Sequence, residues 1–163
     1  MPHQDAFAES MRFEIVSLSW PEISHVWTSK LWAGRASTIE PISSMKYLGG
    51  YDRNIRSSTP MFFGAKQGSR IVGVNSVFMT SPAQARSRGI WVDDEHRCHG
   101  VGQAIMDACI SFVRGQHGAL SIWSAPRRSS LPFYLSCGFM QTSDFTDECF
   151  EFGPNCYVFK VIA

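Results

Sequence analysis

Apolar positions recur along this chain with two periods, and the change from one to the other marks its elements. From Arg12 to Leu18 (RFEIVSL) polar and apolar residues alternate, the period of a half-buried strand. Trp20-Pro21-Glu22 then opens a stretch in which Ile23, Val26, Trp27, Leu31 and Trp32 fall three and four apart, which predicts a helix. Thr38–Leu48 reads as a second, shorter helix, ended by Gly49-Gly50 and followed by the polar loop YDRNIRSS. Pro60–Lys66 and Ile71–Met79 are rich in aromatic and β-branched residues, and Gln67-Gly68-Ser69-Arg70 between them predicts a hairpin. A third such run, Arg86–Val92, leads into the acidic loop DDEH.

The clearest helix is predicted from Val101 to Arg114. Val101, Ala104, Ile105, Ala108, Cys109 and Phe112 form its apolar stripe, Gln103, Asp107, Ser111 and Arg114 lie off it, and Gly115 and Gly118 close it. Ala119–Ser124 reads as a strand, Ser129–Cys137 as a short helix and Tyr157–Ile162 as a last strand. The order predicts a mixed α/β layer within one domain over residues 1–163, with no repeat, linker or low-complexity tract.

Composition narrows the classes. Hydrophobic residues make up 44% of the chain and charged residues 18%, which fits a packed core and argues against disorder. The formal net charge is +1, with none of the basic excess of a nucleic-acid binder. No apolar run approaches the ~20 residues needed to span a bilayer, and the start MPHQDAFAES lacks the apolar segment of a secretory signal. Five cysteines without a C-x-x-C pair favour a reduced setting, so a cytoplasmic protein is expected.

Candidate chemistry gathers at Arg97-Cys98-His99-Gly100-Val101-Gly102, where two glycines open the clearest helix. The first N–H groups of a helix have no intrahelical partner and carry partial positive charge, and glycines let an anion come close. A glycine-softened turn is the plain alternative for this hexapeptide alone. A Walker loop would need Gly-Lys-Ser/Thr at its end, and the dinucleotide fingerprint would need Gly or Ala where Ile105 stands; neither is present. His96, Cys98 and His99 are too close in sequence to converge easily on one tetrahedral ion, so no metal is expected.

Further along, Phe133-Tyr134 and Cys137-Gly138-Phe139 complete a second motif. Together the two stretches resemble the GCN5-related N-acetyltransferase (GNAT) superfamily. Its R/Q-x-x-G-x-G/A signature is matched by Arg97 to Gly102, and its F-Y-x-x-x-G-F signature by Phe133 to Phe139. The specific resemblance covers about residues 86 to 140. It implies a mostly antiparallel mixed sheet of about seven strands and about four helices, with a splayed central strand pair.

The resemblance also implies acetyl-CoA as co-substrate. The pantothenate arm would pair with the backbone of Ile90, Trp91 and Val92, and the pyrophosphate would sit on the amides of residues 98 to 103, so that Arg97, Cys98, His99, Gly100, Val101, Gly102 and Gln103 form its cradle. Tyr134 falls where many members place the acid that protonates the departing thiolate. A phenol, with a reference pKa of ~10, keeps its proton at neutral pH and can donate it. Where members often carry Asn and Ala before the F-Y pair, this chain has Arg127 and Ser130. Arg127 or Arg128 is therefore a candidate for a coenzyme phosphate or an anionic acceptor.

The expected reaction is acetyl transfer to a primary amine of a small molecule, by direct attack in a ternary complex. An acyl-CoA sensor or assembly domain, and protein or peptide N-acetylation, are the competing readings; a homodimer is allowed. No general base is legible. Asp93, Asp94 and Glu95 read as solvated loop acids, Glu40 or Asp52 is a candidate for holding the ammonium group, and Tyr47 belongs to the same region. Arg35, Arg53 and Arg56, with Arg86 and Arg88, suggest an acceptor that also carries an anionic group.

Overall fold

A computed structural model describes residues 12–31, 33, 60–146 and 154–163. The predicted helix Thr38–Leu48, together with Trp32, Arg35, Glu40, Tyr47, Asp52, Arg53, Arg56 and Cys149, lies outside the described residues.

The extended segments assemble into a seven-stranded sheet of order β1-β2-β3-β4-β5-β7-β6. Its strands are β1 (Glu14–Leu18), β2 (Met61–Gln67), β3 (Arg70–Ser81), β4 (Gln84–Val92), β5 (Ser121–Ser124), β6 (Met140–Gln141) and β7 (Val158–Val161). Every neighbouring pair is antiparallel except β4 and β5. Three α-helices accompany the sheet among the described residues: α1 (Trp20–Val26), α2 (Val101–His117) and α3 (Leu131–Ser136).

Two cores lie on the two faces of the sheet, as strand alternation requires. α2 covers one face, burying Val101, Ile105, Met106, Cys109, Ile110 and Val113 against Val72, Ala85, Ile122 and Val158. The buried arc is turned toward Met106, Ile110 and Val113 relative to the stripe read from the sequence, and Ala104, Ala108 and Phe112 are only half-buried. α1 packs on the other face, where Ile23, Val26 and Trp27 meet Leu18, Phe62, Val74 and Phe78.

The ends of the helices follow local chemistry. α1 starts in a capping box in which Glu22 accepts from the Ser19 backbone N–H at 2.7 Å. That bond, then the one from the Ser19 hydroxyl, lowers the Glu22 pKa. After Val26 the helix widens into a π-helical segment, Trp27–Leu31. α2 runs through Gly115 and stops at Gly118, whose left-handed backbone caps it, so one glycine rather than two ends the helix. The β2–β3 hairpin is tighter than the sequence suggested, since Gln67 already pairs with Arg70. β6 has no sequence signature: Met140 and Gln141 are exposed and form a strand only by pairing with Phe159 and Val158 of β7.

Candidate active site

The site begins with an irregularity in β4. Between the pairs Val74–Trp91 and Ser76–Arg88, Asn75 of β3 faces two residues of β4, Gly89 and Ile90. This is a β-bulge, and Gly89 carries it with φ +83°. A Cβ there would lie 2.4 Å from the Trp27 ring, so the close approach of α1's end also requires glycine.

The bulge coincides with a parting of the strands. β4 pairs with β5 only at Gln84–Ser121, Ala85–Ile122 and Arg86–Trp123. Beyond that point β5 no longer pairs with β4, and Ile90, Trp91 and Val92 line a cavity of about 550 Å³. Its far wall includes Arg97, Cys98 and the first turn of α2, together with Ser129, Pro132 and Phe133.

The start of α2 presents its amides to this cavity. The Ala104 N–H donates to the Gly100 carbonyl at 3.0 Å, so the amides of Val101, Gly102 and Gln103 before it have no acceptor within the helix. Cys98 (φ 61°) and Gly100 (φ 80°) are both left-handed, in a turn of the kind that directs successive N–H groups to one side. The two glycines do different work. Gly100 supplies the left-handed turn, and the space where its side chain would be is open. A Cβ on Gly102 would lie 2.7 Å from the Phe133 ring, so Gly102 admits the aromatic ring of α3.

At the vertex of the two strands lies a buried polar network. The Tyr134 hydroxyl is 3.0 Å from Ser124 Oγ of β5 and 3.3 Å from Ser87 Oγ of β4. Ser124 also donates to the Ser87 carbonyl at 2.8 Å, closing the gap where backbone pairing stops. Asn75 Nδ2 donates to Ser87 Oγ at 2.9 Å, and the Ser76 N–H donates to Asn75 Oδ1 at 2.9 Å. Burial pushes the Tyr134 hydroxyl above its ordinary value, against the opposing pull of Ser124 and Ser87, so it holds its proton at neutral pH.

Arg86 points to the other face. Ala85 and Ser87 beside it face α2, so alternation turns Arg86 toward the α1 face. There its guanidinium stacks 4.5 Å from the Trp123 ring centroid. It is 2% exposed, and its Nε and Nη1 are buried with no hydrogen-bond partner among the described residues. Burial, then the charge of Arg88, pulls its pKa down to about 9, which leaves it protonated at neutral pH.

A family model described as "Acetyltransferase (GNAT) domain" matches residues 58–141, more than half of the chain. The chain belongs to the GNAT acetyltransferases. No curated protein sequence matches it. Solved structures share the fold. Ard1 from Thermoplasma volcanium superposes with a TM-score of 0.69 at 20% identity, over 93% of this chain and 98% of that one. A GNAT-family acetyltransferase from Staphylococcus aureus Mu50 gives 0.66 at 16% identity, over 93% and 100%. The spermidine/spermine N-acetyltransferase SpeG from Vibrio cholerae gives 0.63 at 12% identity, over 94% and 95%.

Within this GNAT fold most of the expected coenzyme residues meet at one place. Ile90, Trp91, Val92, Arg97, Cys98, Gly100, Val101, Gly102 and Gln103 all line the 550 Å³ cavity. His99 is exposed beside it, its Nδ1 2.6 Å from the Arg97 carbonyl. Arg127 does not join them; its guanidinium reaches the Leu31 carbonyl at 3.5 Å, and Arg128 stacks 4.0 Å over Phe145. Tyr134 lies behind Phe133 in the strand gap rather than on the cavity wall. Asp93, Glu95 and His96 bring their ligand atoms within 4.8 Å of one another. A guanidinium already serves that group, since Arg70 donates to Asp93 at 2.7 Å and lies 3.8 Å from Glu95.

Ser87, Ser124 and Asn75 were not singled out in the sequence. Their signal was small polar residues at buried strand positions, and such residues are uninformative until a partner for them is known.

Proposed function

We propose that this GNAT acetyltransferase moves the acetyl group of acetyl-CoA to a primary amine of a small molecule, by direct attack in a ternary complex. The chain fits the coenzyme. The cavity runs from the unpaired edge of β4 to the free amides of α2. Ile90, Trp91 and Val92 are the backbone groups for the pantothenate arm, and Val101, Gly102 and Gln103 present N–H groups suited to the pyrophosphate. The thioester supplies an activated acetyl group.

One observation carries the catalytic reading: the Tyr134 hydroxyl is held by Ser87 and Ser124 at the point where β4 and β5 part. It is protonated, fixed in orientation and shielded from water, as a general acid for a leaving thiolate should be.

Two measurements test the proposal. With acetyl-CoA and a panel of small amines, thiol release should accompany formation of the acetylated amine; no transfer to any amine overturns it. Gly100→Asp should weaken acetyl-CoA binding by ~10²-fold, because a carboxylate beside the amides repels the phosphates. The left-handed backbone (φ 80°) strains any side chain there, so Gly100→Asn, with the same strain and no charge, is the control and should bind more tightly than the Asp variant. Unchanged affinity by calorimetry would remove the turn from the coenzyme site. Position 100 has open space for the side chain, whereas at Gly102 any side chain meets Phe133.

A further inference from the structure

The guanidinium of Arg86 is a buried charge whose Nε and Nη1 have no hydrogen-bond partner among the described residues. Such a group is costly to bury unless an anion meets it. No ion pair among the described residues involves it: those they form join Glu22, Asp93, Asp94 and Glu95 to Lys66, Arg70, His96 and Arg97. Arg88 stands two residues away on the same strand and adds like charge.

The position of Arg86 in the sheet says what would use it. Arg86–Trp123 is the last pair before β4 and β5 separate. The next residues along, Ser87 and Ser124, hold the Tyr134 hydroxyl on the opposite face. Tyr134 and Arg86 thus stand on opposite faces of the strand pair at the vertex of the gap, Arg86 on the face that α1 covers. The indole of Trp123 holds the guanidinium plane, and a planar carboxylate is the group a fixed guanidinium fork receives best.

We propose that Arg86 is a specificity-determining residue that binds a carboxylate on the acceptor, so that the substrate is a small amino acid rather than a polyamine or a simple amine. The inference rests on the transferase reading above, but its binding test stands apart from turnover.

The experiment uses the whole chain saturated with coenzyme A. Glycine, β-alanine, 4-aminobutyrate and glutamate, each beside its amide, are titrated by calorimetry, with spermidine as a cationic control; thiol release from acetyl-CoA is followed with the same amines. At least one carboxylate should bind ~10-fold or more tightly than its amide. That ratio should fall to about one in Arg86→Gln, be partly kept in Arg86→Lys, and be accompanied in both variants by unchanged acetyl-CoA affinity, which also reports that the fold is intact. Equal binding of acids and amides, a preference that survives Arg86→Gln, or binding of spermidine alone overturns the proposal. Arg86-dependent binding of an amino acid without thiol release upholds the carboxylate subsite and overturns the transferase reading instead.

Discussion

Arg86 and Ser87 are neighbours in the chain and lie on opposite faces of the same strand, and the two faces solve burial differently. On the α2 side, Ser87 joins Asn75, Ser124 and Tyr134 in a network whose donors and acceptors meet one another. On the α1 side, Arg86 is equally buried but makes a ring contact, and its Nε and Nη1 have no hydrogen-bond partner among the described residues. A satisfied neutral network holds atoms in place at little cost; an unmet charge costs stability and waits for a counter-charge. The difference separates a face whose described polar groups are matched from a face on which the described residues leave a charge unmatched.

The largest expected effect tests the first face. Tyr134→Phe keeps the ring packed against Phe133 and Phe139 and removes only the hydroxyl. kcat for acetyl transfer should fall ~10²–10⁴-fold with acetyl-CoA affinity little changed. Full turnover would reduce the network to a structural one.

Next in size, Ser87→Ala leaves the Asn75 amide and the Tyr134 hydroxyl each short of a buried partner. It should destabilise the protein by about 1–3 kcal/mol in urea unfolding. The opposite sign is expected across the strand. Arg86→Met keeps the volume and removes the unmet charge, and should leave stability unchanged or raise it by about 1–2 kcal/mol. If Arg86→Met destabilises as much as Ser87→Ala, the guanidinium is a structural group and the contrast between the faces collapses.

The smallest effect is a pH dependence. Tyr134 has its pKa raised in the folded state by burial. An unfolded chain would ionise the phenol near ~10. The stability tied to the neutral hydroxyl is therefore present below that value and is lost as pH rises through it toward the folded value. Unfolding midpoints measured from pH 8 to 11 should fall less steeply in Tyr134→Phe than in the parent, and identical slopes would mean that Tyr134 ionises freely in the folded protein.

Much of this arrangement was legible beforehand. Strand β1 and helix α2 declared themselves by period, β2 to β4 by their aromatic and β-branched residues, and Arg97 to Gly102 stood out because two glycines open an apolar helix. The end of α2 lies three residues beyond Arg114, where the sequence placed it, because Gly115 sits on an exposed surface where helix geometry tolerates it. β6 was invisible because its two exposed residues carry no alternation of their own.

By itself, the sequence determined most of the elements, the family signatures and the glycine turn that opens α2, since each depends on neighbours a few residues apart. Only the tertiary structure decided the rest. It showed that Gly89, where β4 bulges, meets Trp27, 62 residues earlier in the chain, in a contact that leaves no room for a side chain. It brought Ser87, Ser124 and Tyr134 together from three elements, and left Arg86 buried without an acceptor among the described residues. Hydrogen bonds and burial between distant segments depend on which faces the sheet turns together, and strand alternation tells the two faces apart only after the pairing is known.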